Sequence, residues 1–236
     1  MLPTLLFLPG TLCDERIWWK SYQALCNDWP CVVVDYRCQN NIATMAAKAL
    51  ATVTGAIIPI GHSMGGIVAL EMWRQAADRI AAMALFDTDP GADTPERRTR
   101  RDAQVALALG GDFREVVETQ LLPTYFSPSR SGDIALTETL IAMAIDQGAP
   151  AFAAQAEALA SRPDSWPQLA DITIPTLIAC GADDRICPPD IHRPMASCLP
   201  ASTFEIIAEA GHFAPLEQPD ITTRLLRNWL DGSAIS

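Results

Sequence analysis

The segment Gly61-His62-Ser63-Met64-Gly65-Gly66 places a hydroxyl with a glycine two residues before it and a glycine two residues after it. An apolar β-type run, AIIPI (56–60), leads into it, and a helix-type run beginning at Met64 leads out. A turn this tight between a strand and a helix crowds its neighbours, and glycine removes the Cβ atoms that would clash. The hydroxyl of Ser63 is thereby expected to stand clear of the sheet at a helix N-terminus, where free N–H groups and the helix dipole favour developing negative charge. That is the setting of an attacking nucleophile. A plain N-cap serine at the head of an ordinary helix accounts for Ser63 but not for both flanking glycines.

A serine hydroxyl needs a base. The chain has three histidines. His62 adjoins Ser63 and is expected to point away from the same pocket, and His192, in PPDIHRPM, is expected at the start of a surface helix. His212, in AEAGHFAPLEQP, follows the last apolar run on a loop that Gly211 frees to turn, and is the expected base. The base needs a carboxylate to hold its tautomer and stabilise its cation. LIACGADDRICPP supplies Asp184 just past a strand, with Asp183 read as a turn residue and Asp87 and Asp89 as rivals. The backbone N–H of Met64 is expected to hold an oxyanion, with a second donor at Thr11 after the turn Pro9-Gly10, and Leu12 as its neighbouring alternative.

These side chains must be positioned by a sheet. The runs TLLFL (4–8), CVVVDY (31–36), AIIPI (56–60), IAAMALF (80–86), ITIPTLIAC (172–180) and TFEIIA (203–208) are continuously apolar rather than alternating, as in strands covered on both faces. Helical spacing fills the gaps at 15–26, 42–53 and 64–77. Strand–helix alternation predicts a three-layer α/β/α domain with a mainly parallel sheet. From 94 to 161 no convincing strand occurs, which predicts an inserted helical cap, with core at 1–90 and 168–236 and the cap at 91–167. Within it Leu107, Leu109, Val116, Val117, Leu121 and Leu122 have the spacing of core positions.

Net charge is −11 on 236 residues, which disfavours nucleic acid and anionic membrane as partners. Seven cysteines, an odd number with no C-x-x-C pair, suggest reduced thiols and a cytoplasmic protein. MLPTLLFLPG lacks a basic leading region and reads as a buried strand rather than a targeting segment. No metal-ligand set or phosphate-cradling loop is apparent, so neither a metal nor a cofactor is expected; the irregular spacing of Cys13, Cys26, Cys31 and Cys38 suits buried thiols better than zinc.

FLPGTLCDERIW, GHSMGG, GADDRICPP and EAGHFAPLEQP, in this order, resemble the oxyanion loop, nucleophile elbow, acid turn and histidine loop of the α/β-hydrolase superfamily. LFDTDPGADTPERRTRR and SRPDSWPQL look like a compact bacterial subgroup, and the resemblance extends to pimeloyl-carrier methyl ester esterases. There are departures. Pro9 replaces the usual histidine of the oxyanion loop, RCQNN replaces a Gly-rich turn, and many relatives place a β-hairpin before the oxyanion strand, so an exposed sheet edge is expected. The resemblance implies acyl transfer to water through Ser63, Asp184 and His212 on a small ester or acyl substrate. Its alternatives are a lactone, a C–C bond, an acyl-carrier methyl ester, or a fold kept for ligand binding alone. Leu12, Trp18, Trp19, Phe126, Met143 and Phe152 are candidates to line an apolar pocket, with core packing as the default for each. Arg97, Arg98, Arg100 and Arg101 form either a solvated helix face or a basic patch for an anionic substrate such as an acyl carrier protein. Arg162 is a candidate to bind a substrate carboxylate.

Overall fold

Strands β1 (Thr4–Leu8), β2 (Cys31–Val33), β3 (Ile57–His62), β4 (Met83–Phe86), β5 (Thr176–Gly181) and β6 (Ser202–Ile207) form one sheet, in the order β2-β1-β3-β4-β5-β6. Every pairing is parallel. The computed structural model describes residues 2–232. β1, β3, β4 and β5 are almost wholly buried, because both faces are covered. Leu5 and Phe7 enter one apolar layer, and Leu6 and Leu8 the other. This is why the sequence runs do not alternate. Around the sheet lie α1 (Trp19–Leu25), α2 (Ile42–Ala51), α3 (Met64–Ala76), α4 (Pro95–Leu107), α5 (Phe113–Val116), α6 (Ile134–Gln147), α7 (Ala149–Ala160), α8 (Pro189–Cys198), α9 (Ala214–Glu217) and α10 (Pro219–Gly232). α2 packs with α3, and α1 with α10. The expected three-layer architecture is the one observed.

Between β4 and β5 the chain forms no strand. It runs through α4 to α7, joined by short turns of tighter or looser helix. Val116, Val117 and Leu122 are buried in this segment, whereas Leu107 and Leu109 are exposed. Their spacing suited a core face, but no neighbouring element covers that side of the turn at Ala108.

Three further differences have local causes. β2 ends at Val33 rather than at residue 36, because the Asp35 carboxylate accepts the Arg37 N–H at 3.1 Å and the chain turns away. β6 is an edge strand, so its side chains alternate between exposure and cover despite the apolar run. His192 is not on a surface: it is fully buried on α8, where its Nε2 accepts the Thr88 N–H at 3.1 Å. Among the described residues no helix is long and apolar enough to cross a membrane.

Trp18 belongs to the core and not to a pocket wall. Its ring lies 5.6 Å from that of Phe7 and 5.5 Å from that of Phe86, and its Nε1–H reaches the Leu8 carbonyl at 3.4 Å. Trp18→Ala is expected to cost about 3–5 kcal/mol, read as a lowered urea midpoint. A loss under about 1 kcal/mol, the range of surface changes, contradicts this placement.

Candidate active site

β3 ends at His62, and α3 begins at Met64, so Ser63 alone makes the turn. Its backbone sits at φ 53°, ψ −116°, a conformation that L-residues rarely adopt. The turn closes only because its neighbours are glycine. A Cβ on Gly61 would lie 2.6 Å from the Gly66 nitrogen, and one on Gly65 would lie 2.7 Å from the Leu8 carbonyl carbon. The Ser63 N–H donates to the Phe86 carbonyl at 2.9 Å, and the Ser63 carbonyl accepts the Thr88 hydroxyl at 2.7 Å.

His212 follows β6 and faces this hydroxyl. Its Nε2 lies 2.9 Å from Ser63 Oγ, and its Nδ1 lies 2.9 Å from Asp184 Oδ2. The other oxygen of Asp184 accepts the N–H groups of Ile186 and Cys187 at 2.8 and 2.9 Å. Burial alone would raise the Asp184 pKa, but the charge and hydrogen bond of His212 and these two N–H donors outweigh it and hold the carboxyl below its usual range. Asp184 is therefore ionised and fixes Nδ1 as the protonated nitrogen, which leaves the Nε2 lone pair for the serine proton.

The rivals are elsewhere. Asp87, fully buried at the end of β4, accepts the Gly181 N–H at 2.8 Å, and burial together with the Asp184 charge pushes its pKa far up. Burial thus favours the protonated form of Asp87, unlike Asp184. Asp89 pairs with Arg97 at 2.6 Å, and Asp183 accepts the Ser127 hydroxyl at 2.6 Å.

The N–H groups of Met64 and Thr11 have no acceptor among the hydrogen bonds of the described residues. Thr11 Oγ1 lies 3.8 Å from Met64 Sδ, so the two segments meet beside Ser63. The Leu12 N–H is already occupied by Gln155 Oε1 at 2.8 Å, and Leu12 adopts φ 57°. That removes it as the alternative donor.

The sequence of this protein matches the profile described as "Alpha/beta hydrolase family" over residues 5–225. The chain belongs to the alpha/beta hydrolase family. An esterase from Thermogutta terrifontis, solved with malate bound, superposes with a TM-score of 0.87 at 29% identity, covering 98% of this chain and 90% of that one. A 2-succinyl-6-hydroxy-2,4-cyclohexadiene-1-carboxylate synthase of Serratia proteamaculans is 24% identical over 97% of this chain and 93% of its own length. A Bacillus subtilis protein provisionally given the same synthase name is 30% identical over 72% of this chain, which spans 64% of that relative.

The alpha/beta hydrolase cavity above Ser63 has a volume of about 540 Å³, within the range of small-molecule sites. Thr11, Ser63 and His212 lie on its floor, and Phe152, Tyr125, Leu121 and Leu159 supply apolar wall. Phe152 is thus placed as expected, and Arg162 also reaches the cavity. Trp18, Met143 and Phe126 do not line it. Met143 on α6 is fully buried in the apolar cluster, and Phe126 packs on the core while Tyr125 takes the wall position. Leu12 lines a side recess of about 10 Å³ that shares Thr11, Leu121, Tyr125 and Phe213 with the main cavity. Trp19 is exposed, as is Arg98. Asp184, Cys187 and His212 offer ligand atoms within 4.8 Å of one another. Asp184 and His212 spend these atoms on each other and on the Ile186 and Cys187 N–H groups, and burial drives the Cys187 thiol well up.

Two supporting residues escaped the sequence reading. Glu217, fully buried, accepts the N–H groups of Gly211 (2.9 Å) and Phe213 (3.1 Å), on either side of His212, and that of Ser127 (2.8 Å). His62 lies 2.7 Å by its Nε2 from the His212 carbonyl. The signal for Glu217 was its place five residues after His212 at the head of the closing helix; nothing in the sequence distinguished His62 from a spacer.

Glu217→Gln sets an amide N–H against one of those three donors and is expected to cost about 1–3 kcal/mol, measured by thermal unfolding. His62 gives a pH signature. Burial, reinforced by the charge of His212, lowers its pKa to about 3, whereas the unfolded side chain titrates near ~6.5. The unfolded state therefore binds more protons between these values, and stability falls as pH drops through that window. The slope reaches at most about 1.4 kcal/mol per pH unit. In urea titrations at successive pH values, His62→Gln is expected to flatten this decline; an unchanged slope contradicts the assignment.

Proposed function

We propose that this protein is a serine hydrolase that cleaves a carboxylic ester through an acyl-enzyme on Ser63. The observation that carries the reading is the continuous line from Ser63 Oγ to His212 Nε2 and from His212 Nδ1 to Asp184, each link 2.9 Å long. His212 Nε2 takes the serine proton as Oγ attacks the ester carbonyl. The new oxyanion is held by the N–H groups of Met64 and Thr11, and each such donor contributes about 3–4 kcal/mol of transition-state stabilisation. The imidazolium, balanced by the ionised Asp184, gives its proton to the departing alcohol. A water molecule then loses a proton to His212 and attacks the acyl carbonyl, which frees Ser63 and the carboxylic acid. The likeness to the Thermogutta esterase over 98% of the chain supports the ester as the scissile group.

A second reading keeps the same three residues and changes the bond. The relatives named as synthases, at 24% and 30% identity, support a linkage other than a simple ester, for which a lactone and a C–C bond are the alternatives. A panel of aryl esters, alkyl esters, lactones and C–C substrates separates the two.

Ser63→Ala is expected to lower ester hydrolysis by roughly 10³-fold or more, and Asp184→Asn by a comparable factor through loss of the correct imidazole tautomer. A fluorophosphonate probe should add its mass to the peptide containing Ser63 and to no other. Equal turnover by wild type and Ser63→Ala refutes the proposal.

A further inference from the structure

The chain carries a net charge of −11, yet five arginines reach its main cavity: Arg97, Arg100, Arg101, Arg162 and Arg185. Asp89 is the acidic residue on the same wall, and Asp93 lies just behind it. The two carboxylates are already served. Asp89 binds Arg97 at 2.6 Å and accepts the Gly91 N–H at 2.9 Å, while Asp93 binds Arg101 at 3.1 Å.

Arg162 is left over. Its side chain is 5% exposed, and burying a guanidinium without a full counter-charge costs several kcal/mol. Its Nε–H donates to the Gly91 carbonyl at 2.6 Å. Its terminal nitrogens lie 3.7 Å from Asp89 and 3.7 Å from Asp93, beyond hydrogen-bond length. Among the described residues Nη2 has no hydrogen-bond partner, and Arg101 Nε is in the same position. Three arginines against two carboxylates leave one positive charge unmatched at the cavity wall. Burial pulls the Arg162 pKa down, as expected for a cation in that condition. The two buried N–H donors belong to residues that also line the cavity, an arrangement that a network serving only to pin the helical segment to the core does not require.

We propose that Arg162, with Arg101 beside it, is a subsite for a carboxylate carried by the substrate, so that the preferred ester is the half-ester of a dicarboxylic acid. This rests on the ester hydrolase reading above. Ser63 is on the floor of the same cavity, so a short acyl chain joins the two points: its ester carbonyl lies at Ser63 and its free carboxylate at the arginine fork. The planar guanidinium matches a carboxylate in a two-bond geometry that an ammonium does not reproduce. The surplus positive charge also draws such an anion into a cavity on a protein that otherwise repels it.

The test compares two methyl esters of equal chain length, monomethyl glutarate and methyl pentanoate, followed by pH-stat. Wild type is expected to show a kcat/KM for the half-ester at least about tenfold above that for the neutral ester. Arg162→Gln should bring the ratio to near one, and Arg162→Lys should restore part of it. Arg98→Gln, an exposed arginine outside the cavity, should keep the wild-type ratio. A binding measurement needs no turnover: millimolar glutarate should raise the Tm of wild type, while neutral glutaramide should not, and Arg162→Gln should lose the difference. Equal kcat/KM for both esters, or no distinction between glutarate and glutaramide in wild type, overturns the subsite. Failure of the hydrolase reading looks different: neither ester turns over and the fluorophosphonate leaves Ser63 unmodified, whatever glutarate does to the Tm.

Discussion

How closely helix α3 can approach strands β1 and β3 governs the rest of this molecule. Gly65 lies against the Leu8 carbonyl, and Gly61 against the start of the helix, at separations where no side chain fits. With the helix this near, one residue must reverse the chain between strand and helix, and Ser63 takes a positive φ to do so. The strain is held by parallel sheet bonding on both sides of β3 and by the Thr88 hydroxyl on the Ser63 carbonyl. The same close approach leaves the Met64 N–H at the open end of a helix beside the hydroxyl. The strained turn thus sets the Ser63 hydroxyl and an unengaged helix-end N–H side by side, the arrangement on which the proposed function rests.

The ends of β4 and β5 and helix α9 bring three carboxyl groups, Asp87, Asp184 and Glu217, to buried positions near one another. Charges of one sign cannot all be carried there at low dielectric. Asp184 takes the charge, because His212 and two N–H groups compensate its burial. Asp87 accepts the Gly181 N–H and sits beside the Asp184 charge, so burial favours its protonated form. Burial raises Glu217 as well, while the N–H groups of Ser127, Gly211 and Phe213 work against that rise. Glu217 has three N–H donors to the two of Asp184, so donor count alone does not decide; Asp184 supports the imidazole because its Oδ2 lies 2.9 Å from His212 Nδ1.

The helical segment between β4 and β5 does more than cover the cavity. Its Tyr125 carbonyl accepts the His212 N–H at 2.7 Å, and its Ser127 joins Glu217 to Asp183. The loop carrying the imidazole is thus held from the core by Glu217 and His62 and from above by residues 125–127. The same segment carries Arg97, Arg100, Arg101 and Arg162 of the cavity wall, so one stretch of chain both holds the His212 loop and shapes the cavity.

The amino-acid sequence by itself determined the parallel sheet and a strand-free helical stretch within it, and it singled out Ser63, Asp184 and His212, which the fold brings together. Each of these is written in local chemistry: uninterrupted apolar runs, a change of period after residue 86, glycines at fixed offsets, and polar residues just beyond strand ends. What lay between distant segments was decided only by the tertiary structure. Trp18 and Met143 are apolar residues of the kind that line pockets, but Trp18 packs on Phe7 and Phe86, and Met143 is fully buried on α6. His192 looked like a surface residue until α8 turned it toward Thr88. Choosing between Thr11 and Leu12 required Gln155, which lies 143 residues from Leu12 in sequence and occupies the Leu12 N–H. The same holds for the unmatched charge of Arg162, which depends on where the partners of Asp89 and Asp93 come to rest. Periodicity and turn chemistry act over a few residues, whereas burial and hydrogen-bond satisfaction are properties of the assembled core.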